Sequence, residues 1–303
     1  MKHNHIFAAL AGSIAVCTAL TGCASAAPDV NAEQTAAAAA TITLNGGSAS
    51  VQGKGAAVQG TVITISDAGT YRITGTLDDG QIVIDAGKDD AVTLVLDNAN
   101  ISCSNSAGIY AKQAGTTTLL LQDGTQNSVS DAAQYAYPDG GDEPDAAIFA
   151  KDDLTIAGSG TLTVTGSFNN AIGSKDNLLI ESGTLIVTAA NDGLRGRDSV
   201  TITDGNFTID AQGDGIKSNN DEDAEKGWIT LSGGVYQITA GNDGIQAETD
   251  MTITGGTYTI VTGGGSANAP ARKTKDFGGG RPGAGMAGGF SAGGMTPPEG
   301  MQA

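Results

Sequence analysis

Histidine, cysteine and aromatic residues are scarce in this chain. Its 303 residues include two histidines, three cysteines, one tryptophan and 4% aromatics in all. Both histidines, His3 and His5, sit at the N-terminal end, so no His/Cys set is left to build a zinc centre in the body of the protein. Charge is sparse too, at 16% of residues against the usual quarter. Cations are the rarer sign: 15 Lys and Arg face 33 Asp and Glu, a formal net charge of -18. That balance excludes nucleic acid, which needs Lys/Arg patches. It equally excludes electrostatic docking on anionic lipid. The one long apolar run, "IFAALAGSIAVCTAL" near the start, is too short for a comfortable transmembrane helix.

Glycine, threonine and small branched residues are abundant instead. There are 46 glycines, and 39% of the chain is apolar, enough to bury a core. Alternating Thr, Val and Ile broken by Gly, Asn and Asp predict an all-β fold with many tight turns. At the N-terminus, residues 1–22 read as a signal peptide. Leu20-Thr21-Gly22-Cys23 looks like a bacterial lipobox, with Cys23 the lipidated residue. An extracellular protein anchored to the membrane by lipid is therefore expected. Cys17 leaves with the signal and Cys23 carries lipid, so Cys103 stands alone and no internal disulfide forms. Its parity with Ile101 in "NISCSN" predicts a small core residue.

The middle of the chain repeats. "NNAIGSKDNLLIESGTLIVTAA", "NDGLRGRDSVTITDGNFTIDAQ", "GDGIKSNNDEDAEKGWITLSGGVYQITA" and "NDGIQAETDMTITGGTYTIVTG" align, with "DAAIFAKDDLTIAGSGTLTVTG" upstream. The apolar residue after the opening turn falls at Ile172, Leu194, Ile216 and Ile245, at steps of 22, 22 and 29. One copy has thus gained seven residues. A 22-residue unit is too short for a propeller blade of about 40–45 residues. It suits one coil of a parallel β-helix with three short strands and three turns, each strand about 4.8 Å from its equivalent in the next coil. Inward positions should stack as Ile156, Ile180, Ile202, Leu231, Ile253 and as Leu162, Leu185, Phe207, Tyr236, Tyr258. The phase of that aromatic row predicts core rather than a sugar platform. The domain layout expected is signal peptide 1–22, Ala-rich tether 23–40, β-helix 41–265 and a Gly/Pro/Met-rich tail 266–303, with the loop 131–145 lying over one face.

Stacking places turn residues in columns as well: Asn170, Asp192, Asp214, Asp243 in one, Asn169, Asn191, Gly213, Asn242 beside it. Asn and Asp stack in turns for purely structural reasons. Carboxylates about 5 Å apart can also share a hard cation, because Ca²⁺ takes six to eight oxygens. The inserted "SNNDEDAEKGW" adds Asn219, Asp221 and Asp223 beside Asp214. Calcium is therefore expected at Asp192, Asp214, Asn219, Asp221, Asp223 and Asp243. Trp228 follows the insertion at a position whose counterparts, Asp153, Asn177, Ser199 and Asp250, are polar, so its indole should face outward, as a sugar-stacking surface or as a cover for the insertion. Lys217 and Arg195 share one strand position; either balances the acids or clamps a sugar carboxylate.

"DGIKSNNDEDAEKGWITLSGG", "NDGIQAETDMTITGGTYTI" and "AAIFAKDDLTIAGSGTLTVTG" closely resemble the bacterial carbohydrate-binding β-helix domain, a family of extracellular, often lipid-anchored proteins. The resemblance runs from about Thr41 to Gly265. It implies a right-handed parallel β-helix similar to pectate lyases, which binds polysaccharide, cellulose or acidic pectin-type sugars, with bound calcium at Asp192, Asp214, Asp221, Asp223 and Asp243. No catalytic base carries over. Three functions stay open: a calcium-dependent polysaccharide binder, a pectate-type lyase using Lys217 or Arg195 as base, and a structural adhesin.

Overall fold

Alternating side chains and frequent Gly, Asn and Asp breaks give short strands and no helix among the described residues. The computed structural model describes residues 38–137 and 140–263. The signal peptide 1–22, Cys23, nearly all of the tether and the tail 266–303 lie outside them. The regular part begins with the strands Ala146–Ala150, Asp153–Gly158 and Thr161–Gly166. Asn170–Ser174, Asn177–Ile180 and Thr184–Ala189 follow. Each strand pairs in parallel with the third strand after it: Ile148 opposite Ile172, Leu154 opposite Leu178, Leu162 opposite Leu185. The rule continues through Thr257–Thr262. Every winding therefore gives one strand to each of three parallel ladders.

The ladder containing Ala146–Ala150, here called the third ladder, forms its own nine-stranded sheet. The other two join in a 16-stranded sheet through the long strand Ala91–Ser102. The first part of that strand pairs with Thr116–Leu121 and its last residues with Gln126–Ser130. Between the two parts Asn98 takes φ 53°, a left-handed conformation that asparagine tolerates better than most residues. At the N-terminal end the strand order is irregular: Ala40–Gly46 pairs antiparallel with Ala49–Gly53, and Ala56–Gln59 antiparallel with Val62–Ile65.

The expected rows are present in register and inward as far as Leu231 and Tyr236; at the C-terminal end Ile253 is exposed and Tyr258 half-buried, because no further described winding covers them. Ile156, Ile180, Ile202, Leu231 and Ile253 are level across the first ladder. Leu162, Leu185, Phe207, Tyr236 and Tyr258 are level across the second. All three ladders contribute to one buried cluster. Each fully buried Ile or Leu in it stabilises by about 1.5–3 kcal/mol. Phe207, Tyr236 and Tyr258 stack with ring centroids 4.7 and 4.6 Å apart and planes within 10°. Phe207 and Tyr236 are buried, and the Tyr236 hydroxyl donates to Gly233 O at 2.8 Å. This row is core, as its phase predicts. Cys103 is likewise buried and unpaired.

Two segments leave the ladders. The residues flanking 138–139 are held against the third ladder. Tyr135 stacks on Phe168 at 4.2 Å and donates to Asp131 Oδ2 at 2.6 Å, while Ala136 N donates to Asn105 O. Residues 219–227, which contain the seven-residue insertion, form a loop capped by Asn220, whose Oδ1 accepts from the amides of Glu222 and Asp223, both at 3.0 Å.

Candidate functional site

The column of turn aspartates stacks as expected, and its hydrogen bonds say what it does. Asn170 Oδ1 accepts from Asp192 N at 3.2 Å, Asp192 Oδ1 from Asp214 N at 2.9 Å, and Asp214 Oδ1 from Asp243 N at 2.9 Å. One oxygen of each buried carboxylate thus closes the turn of the next winding. The other oxygen faces a lysine: Lys217 Nζ lies 2.7 Å from Asp214 Oδ2 and 3.3 Å from Asp192 Oδ2. Asp192 and Asp214 are only 2% and 4% exposed, so the pair must be compensated. Burial works against the charge on Lys217, but the Asp214 hydrogen bond and the Asp192 and Asp214 fields outweigh it, and the ammonium titrates above the ordinary lysine range.

The cation expected among these acids is therefore Lys217, and the donor set as it stands does not fit calcium. Each carboxylate of the buried pair is committed on both oxygens. Asp221, Asp223 and Asp243 are exposed, and Asp223 Oδ1 accepts from the Glu225 amide within its own loop. Asn219 Oδ1 accepts from Arg195 Nε at 3.3 Å. Among the described residues no three Asp, Glu, His or Cys side chains group as a metal would require. Stacking brings Asp192, Asp214 and Asp243 into one column; it does not converge six oxygens on one point.

The neighbouring column breaks at Gly213 for a steric reason. A Cβ there would fall 2.5 Å from Asn191 Oδ1 and 2.6 Å from Asp192 Oδ1. Gly213→Ala is expected to lower stability by about 1–3 kcal/mol, because the added methyl must push the Asp192 carboxylate off its partners. Denaturant unfolding of the variant checks this; a loss under 0.5 kcal/mol, the ordinary surface range, would contradict it.

Arg195 and Lys217 lie level on the third ladder's outward row. Arg195 Nη1 pairs with Asp145 Oδ2 at 2.8 Å, an acid delivered by the segment after residue 139. Trp228 pairs with Ser199 in register and is half-buried. It continues a polar row in which Ser199 donates to Asn177 Oδ1 and Asn177 Nδ2 to Asp153 Oδ1, at 2.7 and 2.9 Å.

A further set of residues went unrecognised in the sequence. Ala111, Ala150, Ser174 and Gly196 are level in the third ladder. The next residue in each strand or turn is Lys112, Lys151, Lys175 and Arg197. These form a row of one cation per winding, at the turn that leads towards the Trp228 row. Their anionic partners are Asp85 at 2.7 Å from Lys112, Glu143 shared by Lys151 and Lys175, and Glu222 at 2.5 Å from Arg197. The signal was legible as the recurring "AKQ", "AKDD", "SKDN" and "GRDS" at the ends of four successive ladder-three strands. Burial pushes the Glu143 carboxyl up, but hydrogen bonds from Lys175 and Lys151 more than offset this and hold it below the usual range.

A family model described as carbohydrate-binding domain-containing protein matches residues 59–285. The chain belongs to this family. A relative of the same description in Acetivibrio thermocellus is 39% identical over 183 residues, which span 59% of this chain and 64% of that protein. The chain thus covers less than two thirds of that relative's length. A solved polysaccharide lyase-like protein from C. thermocellum, a gadolinium derivative, superposes with a TM-score of 0.67 at 35% identity, covering 75% of this chain and 97% of that one. The family match contains both the Asp192–Asp214–Lys217 cluster and the cation row. In this carbohydrate-binding domain the buried acids close turns and pair with Lys217.

Proposed function

We propose that this protein binds an acidic polysaccharide along the Lys112–Lys151–Lys175–Arg197 row, with Trp228 at the C-terminal end of that edge. The observation that carries the reading is the recurrence of one cation per winding in a chain of net charge -18. A polyuronate carries one carboxylate per sugar, and a row with one cation at each coil step of about 4.8 Å offers it several contacts along one edge. The partners held at the two ends of the row, by Lys112 and Arg197, are exchangeable. Glu222 and Asp85 side chains are 76% and 39% exposed, and exposed ion pairs contribute only about 0–1 kcal/mol each. The family supports a carbohydrate ligand; the charge pattern supports an acidic one, pectin-like rather than cellulose.

The winding itself we read as a right-handed parallel β-helix, the hand that parallel strand crossovers almost always take. The sequence at Leu20–Cys23 supports a lipid-anchored protein on the outer face of the bacterial cell membrane. Binding is favoured over cleavage because both candidate bases are engaged: Lys217 between the carboxylates of Asp192 and Asp214, and Arg195 with Asp145. Trp228 favours a second reading, stacking on a neutral glucan such as cellulose.

Calorimetry separates the readings. Polygalacturonate should bind in the presence of EDTA and weaken steeply as salt rises from 50 to 500 mM, since screening lengths shrink over that range. Binding abolished by EDTA, or equal binding to cellulose at all salts, would reject the proposed ligand mode.

A further inference from the structure

Ahead of the cation row, between the first strands of the third ladder and the segment flanking residues 138–139, lies a cavity of about 440 Å³. Tyr110 and Tyr137 line it, with Gln81, Ser106, Lys112 and Glu143 among the polar groups. We propose that this cavity is a subsite for one terminal uronic-acid unit of the polysaccharide. The inference rests on the acidic-glycan reading above and adds to it a second, end-specific site.

The dimensions suit one or two sugars. The volume falls low in the range of about 300–1,000 Å³ that holds small molecules, far below what a polymer segment spanning several windings requires. The wall chemistry suits a sugar as well. Two tyrosine rings supply apolar faces for the pyranose C–H surface. Tyr137 is fixed by its hydroxyl, which donates to Pro144 O at 2.7 Å. Gln81 Nε2 donates to Ala107 O and to Ser106 Oγ at 2.7 and 3.1 Å, so Gln81 is held in place. Its carbonyl oxygen and the Ser106 hydroxyl hydrogen then have no protein partner among the described residues, which leaves an acceptor and a donor for sugar hydroxyls.

Charge selects the acid. The cavity's charged lining groups and their partners are Lys112, Lys151 and Lys175 against Asp85 and Glu143. Asp142 near Tyr137 brings acids and cations level, so the selecting group is Lys112 itself: its partner Asp85 is 39% exposed and exchangeable, and a sugar carboxylate can take its place. Lys112 belongs both to this cavity and to the cation row, so a chain end seated here leads directly onto the row. Tyr137, Gly141, Glu143 and Pro144 form one wall.

The test uses monomeric galacturonate and polygalacturonate on the full folded chain, followed by amide NMR and calorimetry. Galacturonate should shift the amides of Ser106, Tyr110 and Tyr137 in the wild type, and glucose should not. Ala136→Trp, at an exposed position of the lining, should weaken monomer binding at least tenfold while polymer binding, which uses mid-chain sugars on the row, changes less than threefold. Polymer binding without any monomer shift at these residues would overturn the subsite and leave the acidic-glycan reading intact. Equal monomer shifts in wild type and Ala136→Trp would overturn it too. If neither sugar binds, both readings fail.

Discussion

Lys217→Met is expected to lower the stability of the fold by about 3–5 kcal/mol, because it leaves two buried carboxylates without their cation. Methionine keeps most of the apolar stem, so the loss reports charge rather than packing. In thermal melting the expected drop is roughly 6–20 °C, at about 2–4 °C per kcal/mol for a domain of this size. Adding Asp214→Asn to Lys217→Met should recover part of it, since one uncompensated charge is removed. The pH dependence has a defined sign. The folded-state pKa of Lys217 is raised, so its contribution is complete below the unfolded lysine value of about 10.4 and is lost as pH rises through the higher folded value. Divalent ions give the sharpest contrast. The wild type should melt at the same temperature with EDTA or millimolar calcium. Lys217→Met, with Asp192 and Asp214 now facing an empty cation position, should gain stability from calcium. A wild-type melting temperature that falls with EDTA would mean that an ion, not Lys217, neutralises this column.

Neutralising Lys112, Lys175 and Arg197 together to glutamine should weaken polygalacturonate binding about ten- to hundredfold. Each cation–carboxylate contact at this half-exposed edge contributes on the order of 0.5–1 kcal/mol after solvent screening. Three lost contacts therefore amount to roughly 1.5–3 kcal/mol, and each 1.4 kcal/mol is tenfold in affinity. Lys151 is left in place so that Glu143 keeps a partner at 3.1 Å. The salt dependence of the remaining binding should flatten, because fewer charge contacts remain to be screened. Trp228→Ala in the same assay distinguishes stacking from charge: under the charge-row reading it costs less than the triple variant. If the triple variant binds like the wild type and Trp228→Ala does not, the ligand is recognised by stacking alone.

Periodicity carried the architecture. The 22-residue step and the single 29-residue step place Ile172, Leu194, Ile216 and Ile245 level, as their pairing confirms. The phase of Phe207 and Tyr236 put both in the core. The stack of Asp192, Asp214 and Asp243 was readable for the same reason. Which cation they hold was not, because it depends on where the Lys217 side chain reaches from a neighbouring strand, and spacing alone is silent on that. The partner of Asn219 was equally illegible: its oxygen accepts from Arg195, a residue 24 positions earlier. The cation row was overlooked because Lys112, Lys151, Lys175 and Arg197 fall at strand ends rather than in the conspicuous acidic insertion. Asp145 and Glu143 were read as part of an irregular loop. Only folding brings them against Arg195, Lys151 and Lys175.

The most direct measurement is the affinity of the wild-type protein for oligogalacturonates of increasing length, in EDTA and at low salt. A ligand lying along one cation per winding should gain affinity with each added sugar until it spans the row from Lys112 to Arg197, then level off. The triple-glutamine variant should lose that gradient and, because Lys112 also lines the terminal-sugar cavity, should bind the monomer more weakly as well. An affinity that is independent of length, or that appears only when calcium is supplied, would contradict a binding edge built from the stack's own cations.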